Sequence, residues 1–383
     1  MDTILLVLAL LLLCAACAGV PDEPAAEAPR TFEQDAAFLR RHGPVEVLQD
    51  PSGARVLLSG RYQGRVMTSA VAPDGPSLGW VNHDFIASGM TATQFDNYGG
   101  EDRFWLGPEA GPFGLYFPPG SAFTFDDWQV PSALHEGAWT VAEQSDTSVT
   151  YLHDVDVVNY AGTRFTLRVH RTVRLLSGDE AAAALGAPVP EGVQWVGFET
   201  INRVTNTGQE PWTKAGGLPS IWILGMFEPF DTTYVVVPFT GAADSSVVNT
   251  AYFGTIPPDR LMLRDGYLVF VCDGAYRSKI GVGPAHARPV AGSLTPSANL
   301  LTVVSFDLPA GATDYVNSLW GDQDDPFGGD VVNSYNDGPL GPGEPPLGPF
   351  YEIESSSPAA LVGTPSCSRA SGPAPASRAA AAP

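Results

Sequence analysis

Two carboxylates stand two positions apart near the end of the chain, in a run that begins at Tyr351. Side chains alternate between the two faces of a β-strand, so Glu352 and Glu354 share one face while Tyr351 and Ile353 share the other. Two carboxyl groups on one face can act as general acid and general base on a bound substrate. The competing interpretation is a pair of glutamates that face solvent. The spacing makes Glu352 and Glu354 the catalytic candidates.

A second polar cluster spans residues 98–109, where glycines, acidic residues, an arginine and a tryptophan follow one another. A sugar needs this mixture, because its C–H faces pack on aromatic rings while its hydroxyls take directed hydrogen bonds. The alternative is a structural turn with an internal arginine–carboxylate pair. The candidate ligand-binding side chains here are Glu101, Asp102, Arg103, Trp105 and Glu109.

A third cluster spans residues 320–338 and holds five aspartates and two asparagines. Its candidate binding side chains are Asp325, Asn333, Tyr335 and Asn336. Such an oxygen-rich loop suits calcium, but the spacing does not match an EF-hand loop and a proline interrupts it. The six histidines are scattered without the spacing of a metal site. We therefore predict no metal or other cofactor, with calcium as the alternative. Loops 101–109 and 322–337 together are predicted to form one carbohydrate site.

The charge balance excludes one class of partner. Lys and Arg total 20 against 42 Asp and Glu, a net charge of −22, and Lys214 and Lys279 are the only lysines. Binding to nucleic acid depends on cations that neutralise phosphates, so it is disfavoured. A charged fraction of 16% and a hydrophobic fraction of 44% are typical of a folded chain.

Short β-prone runs must position these clusters. Turn residues separate the runs, and only residues 31–41 and 179–185 are predicted to be helical. Many strands without alternating helices predict an all-β fold, an antiparallel sandwich with few short helices. The runs are residues 45–47, 54–58, 65–70, 149–153, 163–175, 194–204, 234–237, 266–271 and 299–306.

The N-terminus has the pattern of an export signal. Residues 4–13 are an unbroken apolar run of ten, too short to span a bilayer. Small residues directly before Cys17 resemble the bacterial lipobox, in which the cysteine is acylated and becomes the mature N-terminus. We predict a lipoprotein signal peptide over residues 1–16 and a tether over residues 17–30. An ordinary cleaved signal peptide is the alternative, and both predict export.

Composition changes abruptly after Leu361. Residues 362–383 consist mainly of Ala, Pro, Ser, Gly and Arg and include no aromatic residue. Such a segment is predicted to be a disordered, low-complexity tail. Two origins stay open, a genuine low-complexity tail and the product of a shifted reading frame.

Several of these stretches together resemble the galactose-mutarotase-like (aldose epimerase-type) supersandwich superfamily. They are the meander of short β-prone runs over residues 45–70, and residues 99–109, 198–206 and 350–355. The chain is more closely similar to an uncharacterised family of bacterial lipoproteins within that class, above all over residues 330–338 and 348–359. The likeness covers residues 32–361 and implies a single β-supersandwich domain over residues 31–361.

The resemblance implies carbohydrate binding or sugar epimerase-type acid/base chemistry. In true aldose epimerases a carboxylate is the general base and a histidine is the general acid. That histidine falls near residues 218–222, where this sequence has none, whereas Glu352 or Glu354 stands at a carboxylate position. The expected function is an exported carbohydrate-binding or carbohydrate-active protein, lipid-anchored on the periplasmic or outer-membrane face of a bacterial envelope. The alternatives are a non-catalytic envelope lipoprotein or carbohydrate-binding module, and a relative of polysaccharide lyases or hydrolases.

Overall fold

The computed structural model describes residues 30–230, 233–253, 255–339, 341 and 343–360, together with the backbone of residues 376–382. The predicted signal peptide, Cys17 and most of the predicted tether lie outside the described residues, as do residues 362–375 and 383 of the predicted tail. The compact unit that contains the helices and strands begins at Thr31. No helix in the described part of the chain is long and apolar enough to cross a membrane.

Helices are few and short, as predicted. The first begins after Thr31, whose hydroxyl accepts from the Gln34 amide while the Gln34 side chain accepts from the Thr31 amide. This reciprocal capping explains why the predicted helix over residues 31–41 forms. The four α-helices of the described chain are α1 (Phe32–His42), α2 (His83–Ser88), α3 (Ser132–His135) and α4 (Gly178–Leu185).

Eighteen strands make up the rest of the regular structure described. In chain order they are β1 (Glu46–Gln49), β2 (Arg55–Ser59), β3 (Arg65–Ala70), β4 (Arg103–Gly107), β5 (Thr140–Gln144), β6 (Ser148–Val158), β7 (Arg164–Leu175), β8 (Val196–Asn206), β9 (Ser220–Phe227), β10 (Tyr234–Pro238), β11 (Leu261–Arg264), β12 (Tyr267–Val271), β13 (Ser278–Val282), β14 (Val290–Thr295), β15 (Leu300–Ser305), β16 (Val332–Asn336), β17 (Tyr351–Ser356) and β18 (Ala376–Ala382).

The strands form three sheets. A small sheet has the order β1-β2-β3, a ten-stranded sheet the order β11-β12-β10-β14-β15-β18-β8-β7-β6-β5, and a five-stranded sheet the order β13-β16-β17-β9-β4. Neighbouring strands pair antiparallel in all three. The prediction of an all-β, antiparallel fold is confirmed.

Residues 376–382 were predicted to belong to a disordered tail, but in the structure they form strand β18. Its backbone pairs with β15 on one side and β8 on the other. Backbone hydrogen bonds to two neighbours can hold a strand whose composition shows no hydrophobic periodicity. That is why residues 376–382 gave no strand signal in the sequence.

The main core lies between the five-stranded and ten-stranded sheets. Phe104 and Ile223 of the five-stranded sheet pack in one cluster with Val169 of β7, and Ile353 packs in another with Val304 of β15. One face of the five-stranded sheet is therefore committed to the core. Its opposite face is free to carry polar side chains.

A buried arginine links the two large sheets. Arg171 of β7 has no solvent exposure and donates to the Asp102 carboxylate at 2.5 Å, to the Asn202 side chain at 2.8 Å and to the Gly64 carbonyl at 2.9 Å. Asp102 immediately precedes β4. Arg171 thus fixes the start of β4 relative to the ten-stranded sheet.

Candidate functional site

The five-stranded sheet gathers its charged side chains on the face that points away from the ten-stranded sheet. Directly opposed residues of an antiparallel pair share a face. Leu224 of β9 lies opposite both Arg103 of β4 and Glu354 of β17. The same face carries Trp105, Trp222, Glu352, Tyr335 and Lys279, which follow from the registers of the five strands.

This face forms the floor of a cavity of about 70 Å³. That volume is several times the space of about 10–15 Å³ that one water molecule needs, so the cavity has room for polar ligand groups. Loop residues complete the walls, and those near the rim are only half-buried. The lining residues are Phe95, Arg103, Trp105, Glu109, Phe125, Trp128, Trp222, Leu224, Phe253, Arg277, Lys279, Trp320, Tyr335, Leu347, Phe350 and Glu352.

Two buried ion pairs lie side by side on the floor. Arg103 Nη2 is 2.5 Å from Glu352 Oε1, and Lys279 Nζ is 2.8 Å from Glu354 Oε2. The indole N–H of Trp222 also donates to Glu354 Oε2 at 2.8 Å. Lys279 is 6% exposed and Glu354 1%. Buried charges of this kind persist because they are paired.

Burial changes the protonation of these groups. It raises the pKa of Glu352 to about 7, even though the adjacent Arg103 acts in the opposite direction. It also raises the pKa of Glu109, although Lys279 opposes the shift. For Lys279, burial favours loss of the proton, but Glu354 and Glu109 outweigh it, so the pKa of Lys279 is raised. At neutral pH, Glu352 is therefore poised to gain or lose a proton, while Lys279 stays cationic.

Several buried polar atoms at the site have no hydrogen-bond partner among the described residues. They are Nε and Nη1 of Arg103, Nε1 of Trp105 and Oε1 of Glu354. An unsatisfied buried polar atom costs about 1–3 kcal/mol, so such atoms are rare in folded proteins. A ligand rich in hydroxyl groups would supply both the donors and the acceptors that these atoms need.

Aromatic rings surround the charged floor. The Arg103 guanidinium lies 4.1 Å from the centre of the Trp105 ring, which makes an edge contact with Trp222 at 5.7 Å. Trp128 donates its N–H to Glu109 at 2.8 Å, and Trp320 lies close to the Trp128 ring at 6.5 Å. The cavity thus combines flat apolar surfaces with ionised hydrogen-bonding groups.

The structure brings most of the predicted site residues together. Glu352, Arg103, Trp105, Glu109 and Tyr335 line the cavity. Glu354 and Asn333, opposed across β17 and β16, share the same face of the sheet. Residues of the 98–109 cluster and the 320–338 cluster meet because they lie on neighbouring parts of one sheet. Arg103 and Trp105 are part of β4, whereas the sequence predicted a loop there.

Four other predicted residues lie elsewhere. Glu101 and Asp102 face a separate cavity of about 10 Å³ next to the core. Asn336 lies on the opposite face of β16 from Tyr335. Its side chain accepts a hydrogen bond from the Gly274 amide and donates one to the Tyr276 carbonyl. Asp325 accepts from the Phe327 amide within its own turn. None of these four side chains lines the main cavity, so a role for them in ligand binding stays a prediction.

Sequence reasoning missed three important cavity residues, Lys279, Trp222 and Arg277. Lys279 is one of two lysines in an acidic chain, and that rarity was an available signal. Trp222 lies within residues 218–222, where the resemblance to aldose epimerases would place the acid histidine. Arg277 precedes β13, a strand that the sequence did not predict, so nothing pointed to it.

Among the described residues, no group of three or more His, Cys, Asp or Glu side chains is placed to hold a metal ion. The cavity lining that the structure describes also contains no histidine.

Fold and site together define an antiparallel β-sandwich protein with a charged, aromatic-walled cavity on the outer face of its smaller main sheet. The sequence matches a protein-family profile over residues 30–367, described as a family of unknown function (DUF6786). The match spans most of the chain, so the protein belongs to this family. No curated protein matches it.

Solved structures of low sequence identity are similar to this chain. A putative aldose 1-epimerase from Escherichia coli K12 is 12% identical, with a TM-score of 0.47, over 88% of this chain and 98% of that one. A galactose mutarotase-like protein from Lactobacillus casei is 13% identical, with a TM-score of 0.46, over 89% of this chain and 100% of that one.

Proposed function

We propose that the protein binds a carbohydrate in the cavity of the five-stranded sheet and transfers a proton on it through Glu352. One observation carries the proposal. Two buried ion pairs, Arg103–Glu352 and Lys279–Glu354, lie within a wall of aromatic rings and leave polar atoms without protein partners. Apolar ligands would leave these atoms unsatisfied, whereas a sugar both packs on rings and supplies hydroxyls.

The proposed proton transfer follows from the position of Glu352. A general acid or base works best when its pKa lies near the working pH. Burial brings the pKa of Glu352 to about 7, and Arg103 fixes the carboxyl group through a 2.5 Å contact. Glu354, in contrast, is held by both Lys279 and Trp222. We assign Glu352 the proton-transfer role and Glu354, which does not line the cavity, the role of holding Lys279 and Trp222 in place.

We expect Trp320→Ala to weaken sugar binding by about tenfold, because a half-buried ring at the cavity wall is lost and each 1.4 kcal/mol changes an affinity tenfold. Affinity is measured by calorimetric titration with the best ligand from a glycan panel. Phe123→Ala is the matched control, since Phe123 is also half-buried and packs on Phe117 and Tyr160 but does not line the cavity. Equal losses in both variants would contradict the assignment.

Trp105 needs a different measurement, because it belongs to the wall and to the core at once. It is 3% exposed and packs against Phe95, Tyr116 and Trp222. Its truncation therefore lowers the melting temperature whatever its role in binding. The half-exposed Trp320 separates binding from stability more cleanly.

A non-catalytic binding protein is the second candidate. The absence of histidine from the described cavity lining favours it, since the acid partner of the predicted mutarotation is then missing. Sugar binding without any catalysed interconversion of anomers would decide for this candidate.

We further propose that the protein is exported and held at the bacterial envelope through an acylated Cys17. The support is the apolar run before two small residues and the cysteine. Cys17→Ser is expected to move the protein from the detergent phase to the aqueous phase on Triton X-114 partitioning, because the acyl chains that anchor it are lost. Cys14→Ser serves as the matched control. Detergent partitioning that persists in Cys17→Ser would refute the anchor.

A further inference from the structure

Arg277 lines the mouth of the cavity without an ion-pair partner among the described residues. The other two cations of the cavity are each committed, Arg103 to Glu352 and Lys279 to Glu354. Arg277 is half-buried, so a ligand that enters the cavity can reach it. The nearby Asp337 carboxylate interacts with Arg277 electrostatically but lies beyond ion-pair distance, so this partly desolvated cation can still pair directly with an anion.

The guanidinium of Arg277 is held in place by contacts that leave its terminal nitrogens available. Its Nε donates to the Tyr335 hydroxyl at 3.2 Å, and its central carbon lies 4.1 Å from the centre of the Phe253 ring. The Tyr335 hydroxyl in turn donates to Asp337 Oδ1 at 2.7 Å. The other oxygen of Asp337 accepts from the Gly348 amide. In the described structure, Nη1 and Nη2 of Arg277 make no hydrogen bond, and two such nitrogens match the two oxygens of a carboxylate.

The charge of the cavity supports the same conclusion. The three cations, Arg103, Lys279 and Arg277, lie among four buried carboxyl groups, those of Glu109, Glu352, Glu354 and, behind Tyr335, Asp337. Burial raises the pKa of Glu352 to about 7, so this group carries only part of its negative charge at neutral pH. The cavity is therefore close to electrical balance within a chain of net charge −22. An anion is repelled less here than at the acidic surface of the rest of the protein.

We infer that the sugar bound in this cavity carries a carboxylate, as a uronic acid does, and that Arg277 receives that carboxylate. The inference rests on the proposed carbohydrate-binding function and names the class of its ligand. A single unpaired guanidinium suits a planar, singly charged carboxylate better than a doubly charged phosphate ester.

The test compares matched ligands on the full chain by calorimetric titration at low ionic strength. The probes are the methyl glycosides of glucuronic and galacturonic acid, those of glucose and galactose, and glucose 6-phosphate and glucose 6-sulfate. We expect at least one uronate to bind about tenfold to a hundredfold tighter than its neutral counterpart, the usual range for a hydrogen bond to a charged group. Arg277→Met should abolish this preference, and Arg277→Lys should keep part of it.

Arg203→Met is the matched control, since it removes one positive charge from an exposed position on β8 of the other large sheet. It should leave the ratio of uronate to neutral-sugar affinity unchanged. Thermal unfolding of each variant shows that it is folded, and Arg277→Lys provides the test if Arg277→Met does not fold.

Neutral sugars that bind as tightly as uronates would overturn the inference and leave the proposed function standing. Tighter binding of the phosphate or sulfate ester would overturn the choice of a carboxylate. Failure of every sugar to bind would overturn both proposals.

Discussion

Arg171→Met is expected to lower the free energy of unfolding by about 3–5 kcal/mol, the usual cost of breaking a buried ion pair by removing one partner. Arg171 is fully buried and holds Asp102, Asn202 and the Gly64 carbonyl together. Methionine has a similar length but donates no hydrogen bond, so the Asp102 carboxylate stays buried without its cation. Urea denaturation of the purified domain measures the change.

The same strand offers a matched control. Arg168 of β7 also pairs with an aspartate, Asp154, through two contacts of 2.7 and 2.9 Å, but both side chains are exposed. Arg168→Met removes the same charge and should have little effect on stability, because water replaces an exposed ion pair. A loss in Arg171→Met no larger than that in Arg168→Met would contradict a structural role for the buried pair. The double variant Arg171→Met, Asp102→Leu should regain much of the loss, since no unpaired charge remains.

The sequence predicted the ten-stranded sheet better than the five-stranded one. β6, β7, β8, β10, β12 and β15 correspond to predicted runs, because their hydrophobic and β-branched residues recur at strand spacing. β4, β9, β13 and β16 were not predicted. In β4 and β13, a charged residue occupies the face opposite the core, and glycines stand within or beside the strand. The charged residues on the cavity face and the neighbouring glycines therefore made the sequence of β4 and β13 resemble that of loops.

The residue types of the site were more predictable than its geometry. Glu352, Arg103 and Trp105 were selected because of their chemistry, and the structure places them in one cavity. Glu101 and Asp102 had the same polarity but point toward the core side, where they bind Ser69 and Arg171. A polar residue that supports the fold and one that serves a ligand look alike in a sequence. For Asp102 the strand alternation separates the two kinds, because a shift of one residue exchanges the two faces. Glu101 lies before the start of β4, so the alternation of that strand does not predict its direction.

Glu352→Gln is expected to slow the catalysed interconversion of α and β anomers by about a hundredfold to ten-thousandfold, the usual contribution of a general acid or base. Glutamine keeps the shape of the side chain but cannot exchange a proton at neutral pH. Exchange NMR spectroscopy with free hexoses and hexuronates measures the rate. Glu143→Gln makes the same chemical change at an exposed position on β5 and should leave the rate unchanged. A Glu352→Gln variant as fast as the wild type would exclude proton transfer through this residue.

The pH dependence of the same protein provides a second measurement that distinguishes catalysis from stability. If Glu352 is the base, the rate rises as the pH rises through about 7, because the ionised carboxylate accepts the proton. A rate that falls through the same range would make Glu352 the acid.

The stability of the protein depends on pH in the same direction whether Glu352 is the acid or the base. The folded-state pKa lies above the ordinary value of 4.5, so the folded protein binds more protons than the unfolded chain between pH 4.5 and about 7. The contribution of Glu352 to stability is therefore complete below about pH 4.5 and is lost as the pH rises through about 7. Glu352→Gln should remove this dependence, and an unchanged slope of stability against pH would show that Glu352 titrates normally and lacks the shift on which its proton-transfer role depends.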